Sequence, residues 1–155
     1  METNLTMRHV EQSKMVAYRG HALQVRRDGK TPYTTHIETV ARLTKERMLK
    51  LRYDYASIIV GVSAAYLHDI VEDWEYTGYT FELLEQEGIP SAIIEVVKLL
   101  TKEEGLSYED NIDRVLVNRI ATQVKISDNL ANLSDSPSDG QIIKYSKSLI
   151  KMLSQ

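Results

Sequence analysis

The chain has 155 residues, a formal net charge of −3 and no cysteine. A chain of this length fits a single domain, because most domains contain about 100–150 residues; we therefore predict one domain over residues 1–155. The lack of cysteine excludes thiolate metal sites, a cysteine nucleophile and a disulfide framework, and it is compatible with the reducing cytoplasm that we expect as the location. The negative charge argues against a nucleic-acid partner. It still allows a small polyanion to bind where a metal ion and arginines are concentrated.

Neither a secretory signal nor a membrane span is predicted. The amino-terminal segment METNLTMRHVEQSKM contains no apolar stretch of the kind that a signal peptide requires. The longest apolar run, residues 56–67, is shorter than the roughly 20 residues that cross a bilayer. We therefore expect no membrane partner, and we interpret residues 56–67 as part of a buried helix.

Apolar residues recur at helical spacing along nearly the whole chain, and alternation with a period of two is hard to find. This pattern predicts an all-α fold of about seven helices. In chain order, the predicted helices cover roughly residues 7–25, 33–49, 55–71, 80–87, 90–105, 107–133 and 141–153. The third is apolar almost all round, which is typical of a helix enclosed at the centre of a domain.

Short polar residues, proline and glycine set the expected helix boundaries. Pro32 suits the first turn of the second helix, and Thr80 can cap the fourth. Ser107, with Asp110 one turn later, resembles a capping box and should start the long helix 107–133. Pro137 and Gly140 are expected to break the chain before the last helix.

The first candidate for chemistry is the pair His68-Asp69 at the end of the apolar helix, followed by Glu72-Asp73. On a continuous helix, Glu72 lies one turn beyond His68, and Asp73 lies one turn beyond Asp69. Charged groups at the end of a buried helix lose their hydration unless something compensates for it. Three acids that repel one another beside a histidine therefore indicate a bound cation.

A second set of polar residues lies in the helix 107–133, where Lys125, Asp128, Asn129 and Asn132 share one stripe. Asp128 should lie near the core side of this helix, and His36 lies early in the second helix on a half-apolar face. Each feature alone also has a structural interpretation. His36 fits a hydrogen-bonded core histidine, Asp128 a solvated stripe, and the acids after His68 a surface turn. Their joint occurrence in one order favours a site.

That order, His36 … His68-Asp69 … Asp128, resembles the H…HD…D signature of the HD superfamily of metal-dependent phosphohydrolases. Further segments are similar to the hydrolase domain of the RelA/SpoT homologue family, including its stand-alone small alarmone hydrolases. These segments are RRDGKTPYTTH, AYLHDIVEDW, the triplet Leu100-Thr101-Lys102, and KISDNLANL. The resemblance covers about residues 17–133, the predicted core of the domain.

The resemblance implies a role for each matching position. The implied ligands of one divalent ion, Mn²⁺ or else Fe, Co, Ni or Zn, are His36, His68, Asp69 and Asp128. Glu72 and Asp73 match the acidic pair that helps to activate the attacking water. The implied contacts to the nucleotide are Arg26, Arg27, Lys125, Asn132 and, toward the guanosine, Tyr145. The implied reaction is release of the 3′-pyrophosphate from (p)ppGpp in the stringent response.

Four positions depart from the family pattern. Asn129 stands where an arginine usually follows the last aspartate, Trp74 replaces a threonine, and Asp28 and Lys30 alter the basic turn. These changes leave the implied metal ligands intact and bear on the identity of the substrate. The alternatives are another HD chemistry, such as that of a nucleoside 5′-monophosphatase, and a catalytically idle nucleotide-binding module. The sequence makes no prediction about oligomeric state.

Overall fold

A computed structural model describes residues 4–155 and confirms the all-α prediction for them. Residues 1–3, which belong to the predicted domain and to the segment searched for a signal peptide, lie outside the described residues. The helices are α1 (Met7–Gly20), α2 (Tyr33–Lys50), α3 (Tyr55–Leu67), α4 (Trp74–Thr77), α5 (Phe81–Gln86), α6 (Ser91–Leu100), α7 (Tyr108–Leu116), α8 (Arg119–Leu133) and α9 (Asp139–Leu153). Across residues 4–155, no helix is both long and apolar enough to cross a membrane.

Capping side chains begin several of these helices, two of them as predicted. Thr80 accepts a hydrogen bond from the backbone N–H of Leu83 at the start of α5, and Ser107 accepts one from Asp110 at the start of α7. Each cap satisfies a backbone donor that has no partner within its own helix. The starting points of α5 and α7 are therefore set by residues next to them in the chain.

The nine helices of the described range exceed the seven predicted, mainly because the predicted helix 107–133 is two helices. The chain leaves α7 at Val117 and re-enters α8 after Asn118, whose side chain accepts a hydrogen bond from the N–H of Ala121. Asparagine favours such a cap over a position inside a helix. The short helix α4 was not predicted.

Other boundaries also differ from the prediction. α1 ends at Gly20 rather than at residue 25, because the following segment folds back and Val25 forms an isolated bridge with Pro32. α6 ends at Leu100, before the expected stop at residue 105. The expected break is found at Pro137, but Gly140 lies inside α9, which Ser138 caps.

The apolar helix α3 is the centre of the fold, as its composition predicted. It packs against α1, α2, α6 and α8, and every residue from 59 to 67 is buried. Gly61 lets α2 approach closely, since a Cβ atom there would collide with Sδ of Met48. The close packing matters for the site, because α2 carries His36 and the chain after α3 carries His68.

Candidate active site

The structure brings together the four residues that the sequence suggested as metal ligands. His36 lies in the first turn of α2, His68 and Asp69 directly follow α3, and Asp128 lies in α8. Ligand atoms of His36, His68 and Asp69 lie within 4.8 Å of one another. Oδ1 of Asp128 lies 3.1 Å from Nε2 of His36 and 3.4 Å from Nε2 of His68. Three separate segments thus meet at one point.

The tautomer of His68 suits metal binding. Its Nδ1 lies 2.7 Å from the backbone oxygen of Ala65, which can only accept, so Nδ1 carries the proton. The Nε2 atom is buried and makes no well-aligned hydrogen bond, although it lies 3.0 Å from Oδ2 of Asp69. A lone pair that faces two carboxylates requires a cation between them, either a proton or a metal ion. The residues present therefore fit a divalent ion.

The charges of this cluster perturb its acid–base equilibria. Burial by itself lowers the pKa of His68, but the carboxylates of Asp69 and Asp128 outweigh burial and raise that pKa well above its ordinary value. Burial raises the pKa of Asp128, but Lys125 and the two imidazoles hold it well below its usual range. Burial also raises the pKa of Asp69, but the charge and hydrogen bond of His68, together with the charge of His36, lower that pKa overall. Both acids are therefore carboxylates at neutral pH.

Neighbouring side chains orient the two carboxylates. The hydroxyl of Tyr33 donates to Oδ2 of Asp69 at 2.5 Å. Nζ of Lys125 donates to Oδ2 of Asp128 at 2.9 Å, and Nδ2 of Asn132 donates to its Oδ1 at 3.1 Å. Such contacts would hold the carboxylate oxygens in place for a metal ion.

Glu72 and Asp73 lie in the turns between α3 and α4, so the expected continuation of the helix to residue 71 is wrong. The one-turn relation survives for Asp73, whose N–H donates to the backbone oxygen of Asp69 at 2.9 Å. Oε1 of Glu72 accepts from the N–H of Lys102 at 2.8 Å, and Oδ2 of Asp73 accepts from Nε2 of Gln24 at 3.0 Å. Each acid is thus held by one donor and has further lone pairs to offer.

Both acids have a raised pKa, primarily because of burial and secondarily because of the charge of Asp69. Glu72 is nevertheless exposed to solvent. The two observations agree because Glu72 lines an open cavity, where water reaches the carboxylate while protein surrounds its other sides. A carboxylate with a raised pKa is a stronger base than a free one.

The cavity has a volume of about 450 Å³ and is lined by every residue that the sequence suggested for the site except His68, which lies behind its wall. Arg26 lines it but is already paired: its Nε lies 2.8 Å from Oδ2 of Asp135, and its Nη2 lies 3.0 Å from Oδ1 of Asn132. Arg27 is exposed and bonds to Gln141 and to the backbone oxygen of Asn132. The two arginines therefore differ in their freedom to meet a ligand.

Sequence reasoning missed part of the cavity wall. Lys144 of α9 lines the cavity, with Nζ 4.2 Å from the ring centre of Tyr108 and 5.3 Å from that of Tyr145. Burial and the charges of Lys125 and Lys102 lower the pKa of Lys144. In the sequence, Lys144 is one of several lysines on an amphipathic helix, and only its proximity to Tyr145 could have drawn attention to it.

The residues that depart from the family pattern do not line the cavity. Asn129 is fully buried and donates to Oγ of Ser148 at 2.8 Å, so it joins α8 to α9 instead of continuing the stripe of Asp128. Trp74 is 61% exposed. Asp28 accepts hydrogen bonds from Thr31 and the N–H of Lys30, which lower its pKa to about 2 and close the turn.

Comparisons with known proteins support the fold. No family model matches the chain, and no curated protein matches its sequence. Among solved structures, a metazoan orthologue of SpoT, described as hydrolysing ppGpp and playing a role in starvation responses, superposes with a TM-score of 0.72. The two are 22% identical, and the match covers 97% of this chain and 88% of that chain. The likeness shows that this chain has the same helical fold as that protein.

Proposed function

We propose that this protein is a metal-dependent phosphohydrolase that releases pyrophosphate from the 3′ position of (p)ppGpp. The observation that carries the proposal is the buried, unpaired Nε2 of His68, which faces the carboxylates of Asp69 and Asp128 next to a polar cavity. A divalent cation would give Nε2 a partner and balance the negative charge of the two carboxylates. The structural likeness to a ppGpp hydrolase supports the choice of substrate.

The residues that would hold the ion are His36, His68, Asp69 and Asp128. Two imidazoles and two carboxylates suit Mn²⁺ and also accept Fe, Co, Ni or Zn. When bound, the ion would supply Lewis-acid chemistry, acidifying a water molecule and neutralising charge on the phosphate. Tyr33, Lys125 and Asn132 would keep the carboxylates directed toward it.

Glu72 and Asp73 are the bases of the proposed reaction. Water attacks the phosphorus next to the ribose 3′ oxygen, and the bond between that phosphorus and the 3′ oxygen breaks. One acid accepts the proton of the attacking water, and the other orients the water. That proton, or one from solvent in the open cavity, passes to the 3′ oxygen, which leaves as the ribose 3′-hydroxyl. Their raised pKa values bring them closer to neutral pH, where a general base is most effective.

Basic and aromatic groups on the cavity wall would bind the rest of the nucleotide. Arg27, Lys102 and Lys144 are exposed there and can bind phosphate oxygens. Arg26 is instead paired with Asp135, and it donates a hydrogen bond that orients Asn132. The rings of Tyr108 and Tyr145, with centres 6.5 Å apart, offer an aromatic surface for the guanine.

A panel of nucleotides incubated with Mn²⁺, with products separated by chromatography, tests the proposal. We expect pyrophosphate together with guanosine 5′-diphosphate or 5′-triphosphate from (p)ppGpp, and no product from the His68→Ala variant. Orthophosphate from a nucleoside monophosphate would instead establish a 5′-nucleotidase. Binding of nucleotide by the metal-loaded protein without any turnover would establish an idle nucleotide-binding module.

A further inference from the structure

A buried histidine behind the cavity has no place in the reaction described above. His21 follows α1 and is only 1% exposed. Its Nδ1 lies 2.7 Å from Oε1 of Gln24, and its Nε2 has no hydrogen-bond partner among the described residues. Nε2 of Gln24 donates to Oδ2 of Asp73 at 3.0 Å. The three side chains form a continuous chain from the protein interior to the cavity.

The chemistry of these groups fixes the direction of every hydrogen bond in the chain. The carboxylate of Asp73 can only accept, so Gln24 must direct its NH₂ group toward Asp73. The amide oxygen of Gln24 then faces His21, and Nδ1 of His21 must carry the proton that bonds to it. Burial lowers the pKa of His21 and so keeps the ring neutral in this tautomer.

The same imidazole also packs against a residue that contacts a proposed metal ligand. Its ring centre lies 4.9 Å from that of Tyr33, whose hydroxyl donates to Asp69. His21 therefore contacts one residue that holds a proposed base and one that holds a proposed metal ligand. Loss of its Nδ1–H would free the amide of Gln24 to rotate, while loss of the ring would loosen Tyr33.

We propose that His21 is a positioning residue: its Nδ1–H fixes the amide of Gln24, which holds Asp73 in the orientation required for hydrolysis. This inference rests on the proposed function, because the orientation of Asp73 matters only if Asp73 acts in hydrolysis. His21 and Gln24 act through Asp73 and touch neither the nucleotide nor the ion.

Two substitutions of His21 separate hydrogen bonding from packing. His21→Phe keeps a ring against Tyr33 but has no donor, whereas His21→Asn places an amide N–H near the position of Nδ1. We expect His21→Phe to lower kcat by about 10–100-fold, the usual effect of losing a group that orients a site residue. KM and bound metal should stay near wild-type values, and His21→Asn should recover most of the lost kcat.

Gln24→Met provides a second route to the same result without changing the buried ring. It should lower kcat as much as His21→Phe, and the double variant should be no slower than Gln24→Met alone, because both changes break one chain. His9→Phe is the matched control. His9 accepts a hydrogen bond from the N–H of Thr6 at the start of α1, and its substitution should leave kcat unchanged.

The tautomer of His21 gives a measurement that does not depend on activity. Nitrogen-15 NMR of the wild type at neutral pH should show a neutral ring protonated at Nδ1. A ring protonated at Nε2 or at both nitrogens would overturn the inference, as would an active wild type whose His21→Phe variant keeps full kcat or whose two His21 variants are equally slow. A wild type that hydrolyses no nucleotide would instead overturn the proposed function.

Discussion

The substitution Glu72→Gln would remove one basic oxygen from the cavity and keep the shape of the side chain. In the wild type, Oε1 of Glu72 accepts a hydrogen bond from the N–H of Lys102 at 2.8 Å. Only the oxygen of a glutamine can accept that bond, so its NH₂ group would take the position of the second carboxylate oxygen. The side chain would thus stay anchored and lose its ability to take a proton from water.

We expect Glu72→Gln to lower turnover by about 10²–10⁴-fold, the usual contribution of a general acid or base. This loss corresponds to about 2.7–5.4 kcal/mol of activation free energy. Because Glu72 is not one of the proposed ligands, the variant should retain the ion and bind nucleotide as the wild type does. Initial rates of pyrophosphate release at saturating (p)ppGpp, with elemental analysis of the same samples, measure both quantities.

Two further variants serve as controls for Glu72→Gln. Glu75→Gln makes the same chemical change on the exposed surface of α4, outside the cavity lining of the described chain, and should be as fast as the wild type. Asp69→Asn changes a proposed ligand and should lose metal and activity together. A Glu72→Gln variant that hydrolyses (p)ppGpp at the wild-type rate would refute the role as a base, and one that loses the ion would make Glu72 a ligand.

Three other predictions concern stability. A chelator should lower the melting temperature of the wild type by about 5–10 °C relative to protein with free ion at a hundred times its Kd. The melting temperature of Asp128→Ala should hardly change. Equal shifts in both proteins would contradict the assignment of Asp128 as a ligand. In the metal-free protein, the raised pKa of His68 adds stability below pH 6.5 that is lost as the pH rises through the folded-state pKa. Because the ion needs the neutral ring, the stabilisation by Mn²⁺ in thermal melts should grow as the pH rises above about 6.5. A stabilisation that does not depend on pH would contradict the raised pKa of His68. Asn129→Ala should cost about 1–3 kcal/mol in urea unfolding, because Ser148 loses its buried partner, and the cost should shrink in a Ser148→Ala background.

Local signals in the sequence predicted much of the helical fold. The continuous apolar run of residues 56–67 and the caps at Thr80 and Ser107 depend on neighbours in the chain, and each is found where expected. The break at Asn118 was missed because apolar spacing continues through both α7 and α8, which pack together. There, a single capping residue outweighs the periodicity.

The sequence predicted those parts of the candidate site whose residue types are unusual for their place in the chain. His68-Asp69 is conspicuous at the end of an apolar helix, and the family signature supplied His36 and Asp128. His21 and Gln24 carried no such signal, since both were expected inside the predicted helix 7–25, where a histidine and a glutamine are ordinary. Their relation to Asp73 depends on a contact across 49 residues, which packing of α1 against the segment after α3 creates.

The distance along the chain between the proposed ligands has a consequence for folding kinetics. His36 and Asp128 are 92 residues apart in sequence, and His68 comes from a third segment. A complete set of ligands therefore exists only after α2, α3 and α8 have packed together, a step that we expect late in folding. Stabilisation that is absent from the transition state slows unfolding and leaves the folding rate unchanged. The ion should thus lengthen the lifetime of the folded protein without helping the chain to reach that state.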